Sequence, residues 1–174
     1  PVLLWSVEVM LQCEDIAAIA VVIPASERDR AKEFLPSNSR ILLVDGGTTR
    51  TESVRNGLKA LEGRGLKNVL IHDAARPGLS QPVVHELIAA LADADAAAPA
   101  LPVTDALKDN RAGLKSVSRD GLVRVQTPQA FRFDVIAKAI ASATDAAVDD
   151  LALVEATGAR VVLTPGRTEL MKIT

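Results

Sequence analysis

Three residues of uninterrupted apolar character, Val69-Leu70-Ile71, run straight into His72-Asp73-Ala74-Ala75-Arg76-Pro77. An apolar run with no polar alternation, bounded by turn chemistry, is the pattern of a buried strand. Its polar end then falls at the strand's carboxyl edge, where ligands bind in open α/β sheets. Ala74 and Ala75 let a ligand approach the backbone, and Arg76 carries a fixed planar cation that matches phosphate. Pro77 stiffens the exit. One acid, two small residues and one arginine within four positions suit a metal–phosphate site. The plainer alternative is a strand-end Asp that caps a turn beside a solvated Arg.

The same buried pattern recurs at Ile16 to Ile23 and at Ile41 to Val44, and helical patterns separate the runs. Pro1 to Glu14 places Leu3, Leu4, Val7, Met10 and Leu11 mostly on one helix face. Ser26 is positioned to cap a short helix through Phe34. Thr49-Arg50-Thr51-Glu52 has the capping-box spacing and predicts a helix to about Glu62, ended by Gly63 to Gly65. Ser80-Gln81-Pro82 opens another helix, with Val84, Leu87, Ile88 and Leu91 facing inward, and Ala96 to Val103 reads as a small-residue strand. This alternation predicts an α/β fold with a mostly parallel sheet.

Thr104 to Gln126 departs from the pattern. It is polar, broken by Gly113 and Gly121, and carries turn signals at Asp109-Asn110 and Asp120-Gly121. Weak strands around those turns predict a projecting β-arm, and long excursions of this kind are usually functional or contact a partner. After Thr127-Pro128-Gln129 the chain returns with helices over 134–143 and 149–157, the second ended by Gly158. A strand over 160–163, a Pro165-Gly166 turn and a final strand over 170–173 complete the reading.

The 174 residues suffice for one domain with a sizeable core. Aromatics are 2% of the chain, so the core must be built from Ala, Val, Leu and Ile, and the composition argues against a base-stacking nucleic-acid surface. A net charge of −2 gives no reason to expect a polyanion partner. The single Cys13 excludes an internal disulfide, reads as a small buried hydrophobe and fits a reducing compartment. The run Ile16 to Ile23 is too short to span a bilayer, and the first residues lack the basic region of a signal peptide. The expectation is a cytoplasmic chain, or one of the plastid stroma if the source is a plant, with no nucleic-acid or membrane partner. A start at Pro1, without Met, is expected of a sequence that begins inside a longer chain.

Several familiar signatures are absent: the phosphate-loop Gly-Lys-Ser/Thr pattern, a complete dinucleotide glycine fingerprint, a zinc ligand set and a serine nucleophile elbow. His85 lies in a helix pattern and reads as structural or solvated. Gly46-Gly47 follows a buried strand and precedes a capped helix, so its backbone can approach a ligand on the same side of the sheet as Asp73. An ordinary strand-to-helix turn is the alternative. Lys172 sits among apolar neighbours and needs a reason to be there; a snorkelling edge lysine is the bland one.

Six motifs stand in one order: Asp45-Gly46-Gly47 with Arg50 and Ser53-Val54, then His72-Asp73-Ala74-Ala75-Arg76-Pro77. Arg119-Asp120-Gly121-Leu122, Thr127-Pro128-Gln129-Ala130-Phe131, Asp149-Asp150 and Lys172-Ile173-Thr174 follow. In this the chain resembles, from Pro1 to Thr174, the 2-C-methyl-D-erythritol 4-phosphate cytidylyltransferase family of non-mevalonate isoprenoid synthesis. The resemblance implies a Rossmann-like nucleotidyltransferase sheet and a homodimer built through the 104–126 arm. It also implies transfer of CMP from CTP to the methylerythritol phosphate, with Mg2+ and release of pyrophosphate. By the same resemblance Gly47, Thr48 and Ser53 recognise cytosine, and Ala74 lies near the ribose. Asp73 and Arg76 hold substrate and metal–phosphate groups, Asp73 being the metal ligand. Arg119, Thr127 and Lys172 position the incoming phosphate, Arg119 and Lys172 as catalytic cations.

Departures from the family pattern carry consequences. Members open with a glycine-rich loop bearing an arginine, then a lysine, around the triphosphate, and this sequence begins after that point. A protein that truly lacked the loop is expected to turn over poorly, because charge on the leaving pyrophosphate would go unneutralised. The end at Thr174 precedes the family's last helix and fits a junction with a fused cyclodiphosphate synthase domain. Thr48 stands where many members have an acid, and Ala106 where some have a hydroxyl. Two other readings stay open: a cytidylyltransferase for another polyol phosphate such as ribitol phosphate, and a non-catalytic nucleotide-binding module.

Overall fold

The computed structural model describes residues 1–143 and 149–173. It opens with helix α1 (Leu3–Gln12), whose Leu3, Val7, Met10 and Leu11 pack on Ile19 and Val21 of strand β1 (Ile19–Ile23). Strand β2 (Ile41–Asp45) runs parallel to β1, from Ile19 opposite Ile41 to Ile23 opposite Asp45. Between them lies helix α2 (Arg28–Phe34). Ser26 does not cap it. A 3-10 turn, Ala25–Glu27, starts directly after Pro24, and Ser26 is spent inside that turn.

Helix α3 (Arg50–Leu61) begins as its sequence predicts: the Thr49 hydroxyl accepts the Glu52 N–H at 3.1 Å. The Glu52 carboxylate reaches one residue further back than a capping box requires, taking both the N–H and the hydroxyl of Thr48. Gly63 and Gly65 follow with φ of 72° and 69°, conformations that favour glycine.

Strand β3 (Asn68–Ile71) belongs to a second sheet. Helix α4 (Gln81–Ala90) leads from it to β4 (Ala96–Pro102), the sheet's central strand. Strands β5 (Leu107–Asp109) and β6 (Lys115–Val117) form the expected hairpin, and residues 110–124 of this arm are all exposed. The chain returns through β7 (Val123–Val125) and β8 (Gln129–Arg132), which pair antiparallel with successive parts of β4. Helices α5 (Phe133–Ser142) and α6 (Asp150–Glu155) then lead to β9 (Val161–Pro165), parallel to β4. The fold is therefore the expected α/β class with a projecting arm, but the sheet is mixed. Parallel pairing is confined to β1–β2 and β4–β9, because the strands returning from the arm run back along β4 and beside β3.

The aromatic-poor core divides across the second sheet. Leu58, Leu61, Phe131, Ile136, Ile140, Leu151 and Val154 fill one side; Leu79, Val83, Val84, Leu87, Leu170 and Cys13 fill the other. Ala96, Ala97 and Ala98 of β4 are fully buried between these clusters, where small side chains let helices approach both faces. Cys13 is the buried hydrophobe expected, and burial pushes its thiol pKa up. Strands β1 and β3 line a cavity of about 570 Å³ without pairing to each other, and Arg50, Ser53, His72, Asp73 and Lys172 also line it.

No strand forms over 170–173. A 3-10 turn, Thr168–Leu170, ends in an extended stretch attached by one backbone bond, from the Ile173 N–H to the Ala75 carbonyl at 2.8 Å. Fully buried Leu170 anchors this segment, so its chain is held by a side-chain plug rather than by a ladder. Residue 174 of the last motif lies outside the described residues. The segment approaches Gly78 so closely that a β-carbon there would sit 2.0 Å from the Glu169 carbonyl oxygen. Gly78→Ala should therefore lower stability by on the order of 1–3 kcal/mol in urea denaturation. An unchanged midpoint would show that the terminal segment is not packed there.

Candidate active site

β3 ends at Ile71 and delivers Asp73 to the carboxyl edge. The Asp73 N–H donates to the Thr127 hydroxyl at 3.0 Å. Its carboxylate meets Lys172 Nζ at 3.2 Å and Arg76 Nε at 3.6 Å. The Arg76 contact is an ion pair without a hydrogen bond: Nε is buried with no partner, and the guanidinium instead donates to the Leu170 carbonyl at 2.8 Å. Burial works against the Asp73 charge. The hydrogen bond and charge of Lys172, with Arg50 and Arg76 behind it, outweigh burial and hold the carboxyl below its usual range. Asp73 is thus an anion ringed by cations, ready to share them with an incoming phosphate.

His72 points the other way, into the protein. Its Nε2 lies 3.1 Å from both the Ser6 hydroxyl and the Arg76 carbonyl oxygen, and its Nδ1 lies 3.2 Å from the Thr127 hydroxyl. Ser6 is 3% exposed and comes from α1, so the ring ties the first helix, the 72–76 loop and the start of β8 together.

The Gly46-Gly47 turn forms the neighbouring wall. The Ser53 hydroxyl accepts the Gly47 N–H at 3.0 Å and donates to the Thr49 carbonyl at 2.9 Å. A β-carbon at Gly47 would collide with the Glu52 side chain, so glycine is required for Glu52 to fold over the turn. Its hydrogen bonds from Thr48 keep the Glu52 carboxyl below its usual pKa. Arg50, the first residue of α3, is gripped by Asp150 at the start of α6 through two parallel bonds of 2.9 and 2.6 Å. Burial lowers the Arg50 pKa, and the Asp150 carboxylate more than reverses this. The Asp149 carboxylate caps α6 by accepting the Ala152 N–H.

Of the residues singled out from sequence, Asp73, Arg76, Thr127 and Lys172 converge on one point. Exposed Ala74 lies beside them, and Ser53 and Arg50 line the same cavity as Asp73. Gly47 and Thr48 sit in the adjoining turn. Arg119 is not brought in: it is exposed on the arm, its guanidinium bonded to the Thr104 carbonyl. Sequence reasoning missed Ser6, whose one signal is a hydroxyl among the buried positions of an apolar helix. It also gave no role to the Arg50–Asp150 pair, although both residues stand in recognised motifs.

Burial drops the His72 pKa from 6.5 to about 4, against the Arg76 carbonyl and the Asp73 charge, which favour the proton. The unfolded chain binds this proton as pH falls below 6.5 and the folded chain does not, so stability is complete above 6.5 and declines toward pH 4. The full effect is on the order of 3 kcal/mol. Urea denaturation across this range should show a flatter pH dependence for His72→Asn than for the wild type. Identical slopes would place the titrating group elsewhere.

The family pattern described as 2-C-methyl-D-erythritol 4-phosphate cytidylyltransferase matches residues 1–174. The bifunctional enzyme IspD/IspF of Paracoccus denitrificans is 44% identical over 166 residues, which cover 91% of this chain and 44% of that protein. A 2-C-methyl-D-erythritol 4-phosphate cytidylyltransferase of Cereibacter sphaeroides is 39% identical over 178 residues, covering all of this chain and 79% of the relative. The chain thus spans less than half the length of the bifunctional relative. The crystal structure of the corresponding Thermus thermophilus enzyme matches with a TM-score of 0.84 at 31% identity, over 99% of this chain and 82% of that one. The 4-diphosphocytidyl-2C-methyl-D-erythritol synthase of Anaerococcus prevotii matches at 0.89 and 30%, over 99% and 80%. The motifs, the fold and the clustered Asp73, Arg76 and Lys172 have one source: the chain belongs to the 2-C-methyl-D-erythritol 4-phosphate cytidylyltransferase family.

Proposed function

We propose that the protein containing this chain transfers CMP from CTP to 2-C-methyl-D-erythritol 4-phosphate, giving 4-diphosphocytidyl-2-C-methyl-D-erythritol and pyrophosphate. The observation that carries the reading is the Asp73 carboxylate held between Lys172 and Arg76 beside the Gly46-Gly47 turn. A phosphate oxygen of the polyol attacks the α-phosphorus of CTP, and the bond from that phosphorus to the bridging oxygen breaks as pyrophosphate leaves. Catalysis of this kind is positioning plus charge neutralisation. Lys172 and Arg76 draw the two phosphate groups together at the cavity mouth. The backbone carbonyls of Gly47 and Thr48, whose N–H groups are taken by Ser53 and Glu52, read the cytosine edge; Ser53, both of whose bonds are internal, shapes their turn.

Among the described residues no group of three or more acidic, His or Cys side chains converges on a metal position. The single carboxylate of Asp73 at the cavity edge fits Mg2+, which takes one or two carboxylates and completes its shell with phosphate and water. Asp73 is the residue that would hold it, and the ion would neutralise triphosphate charge. Both fused and free-standing relatives exist, so a cyclodiphosphate synthase domain on the same chain is part of the proposal. No described helix is long and apolar enough to cross a membrane, and we place the protein in the cytoplasm.

In this reading Asp73→Asn lowers turnover by about 10²-fold or more while leaving the fold intact, since a preorganised charge is lost at the reacting groups. Circular dichroism and a CTP turnover assay check this together; near-normal turnover would remove Asp73 from the machinery.

The arm exposes Leu114, Val117, Leu122 and Val123, and Arg119 lies among them, far from Asp73 of its own chain. We assign the arm to a two-fold dimer in which Arg119 completes the partner's site. Arg119→Ala and Asp73→Asn chains are then each impaired alone. Mixed and allowed to exchange, they should regain about a quarter of wild-type activity, because half the dimers are hybrids with one intact site of two. No recovery in a mixture shown to contain hybrids would show that Arg119 does not complete the partner's site.

A further inference from the structure

The backbone at Gly46-Gly47-Thr48 points its donors into the protein. The Gly46 N–H donates to the Ile23 carbonyl at 2.7 Å, and the Gly47 N–H to the Ser53 hydroxyl at 3.0 Å. The N–H and the hydroxyl of Thr48 both donate to one carboxylate oxygen of Glu52, at 2.6 and 2.8 Å. A backbone N–H can only donate, so these backbone bonds need no assignment of a side-chain proton. Ser53 spends its own hydrogen on the Thr49 carbonyl at 2.9 Å. What remains at the turn is oxygen: the Gly47 and Thr48 carbonyls take no hydrogen bond among the described residues. Glycine at 47 serves the same arrangement. Its φ lies outside the left-handed region, so the backbone does not demand glycine, whereas a β-carbon there would stand 2.2 Å from the Glu52 Cγ atom. Nor does capping explain the reach of Glu52. The Thr49 hydroxyl already caps α3, and the carboxylate passes over Gly47 to both donors of Thr48.

We infer that Glu52 is a positioning residue that sets the preference for cytosine over uracil, by holding both donors of Thr48 away from the base so that the turn presents acceptors only. The inference rests on the cytidylyltransferase reading and deepens it. At position 4 cytosine carries an amino group, which donates, and uracil carries an oxygen, which only accepts. The amino group pairs with the carbonyls of Gly47 and Thr48. The uracil oxygen would meet them acceptor against acceptor, stripped of water and left unpaired. A Thr48 released from Glu52 would instead offer that oxygen an N–H and an O–H. The discrimination therefore lies in where the donors of Thr48 are sent, and Glu52 sends them inward.

The test compares kcat/KM for CTP and for UTP, with the polyol phosphate and Mg2+, in the protein containing this chain. The wild type should favour CTP, and Glu52→Ala should lower the CTP-to-UTP ratio by about tenfold, chiefly through a gain with UTP, as one freed donor finds the uracil oxygen. Adding Thr48→Val to Glu52→Ala removes the freed hydroxyl and should restore part of the ratio. A loss in equal proportion for both nucleotides would make Glu52 a support of the helix start and overturn the inference, as would a wild type that uses CTP and UTP alike. Hydrogen exchange followed by NMR reads the geometry without any substrate. The Thr48 amide should exchange about tenfold faster in Glu52→Ala than in the wild type. Equal rates would show that Glu52 does not hold it, and the inference would fall. If the wild type transfers no CMP from CTP, the cytidylyltransferase reading fails and takes the base preference with it. If it transfers CMP and Glu52→Ala keeps the full ratio, the role of Glu52 alone fails.

Discussion

The carboxylate of Asp73 gathers cations from three parts of the chain. Arg76 comes from its own loop, Arg50 from the start of α3 and Lys172 from the terminal segment. Much of the edge depends on that convergence. The terminal segment has no ladder to hold it, and its attachments besides the buried Leu170 are the Lys172–Asp73 pair, the Arg76 bond to the Leu170 carbonyl and the single bond from Ile173 to Ala75. The groups that charge the site are thus the groups that keep the segment across it. A phosphate arriving there competes for Lys172 with Asp73. Half-burial of the acid opposes a complete exchange, since a carboxylate stripped of its cation would keep its desolvation cost, so the phosphate shares Lys172 with Asp73.

The Arg50–Asp150 pair fixes the opposite wall by a different route. Asp150 is 1% exposed, and a buried carboxylate is costly unless its partner geometry is good. Here both carboxylate oxygens are taken by a planar fork. Such pairs add little net stability, and their value lies in position. This one locks the first residue of α3 to the first residue of α6, at the side of the cavity that also carries Ser53. The Thr49 and Asp149 caps leave each helix start well defined, so the pair joins two rigid ends rather than two loops.

What could be read from sequence was what is local. Thr49 and Glu52 are three residues apart, Gly63 follows its helix directly, and the alanines of β4 announce a strand that must pack on both faces. The acid, the arginine and the terminal lysine were named because they stand in motifs. What escaped was set by partners far along the chain. Ser6 meets His72 across 66 residues, and Arg50 meets Asp150 across 100. Ser26 had cap chemistry, but Pro24 placed the turn one step earlier than the cap required. The last segment had the composition of a strand and formed none: a 3-10 turn and the buried side chain of Leu170 hold it in place of a ladder.

The mixed character of the sheet, which strand–helix alternation did not disclose, is what makes the site. In the β3–β8 ladder Asn68 opposes Arg132, Val69 opposes Phe131, Leu70 opposes Ala130 and Ile71 opposes Gln129. Continued by two residues in the same register, that antiparallel pairing sets Asp73 against Thr127, and the Asp73 N–H does reach the Thr127 hydroxyl. A parallel neighbour would bring a different end of its strand to this edge and could not pair the two motifs residue against residue. The arm excursion therefore does more than project from the domain. By reversing the chain it sends β8 back beside β3, and a one-residue slip in that return would put a different side chain against Asp73. The separation of 54 positions between Asp73 and Thr127 is spanned by a register, and the chemistry of the edge is a consequence of strand direction.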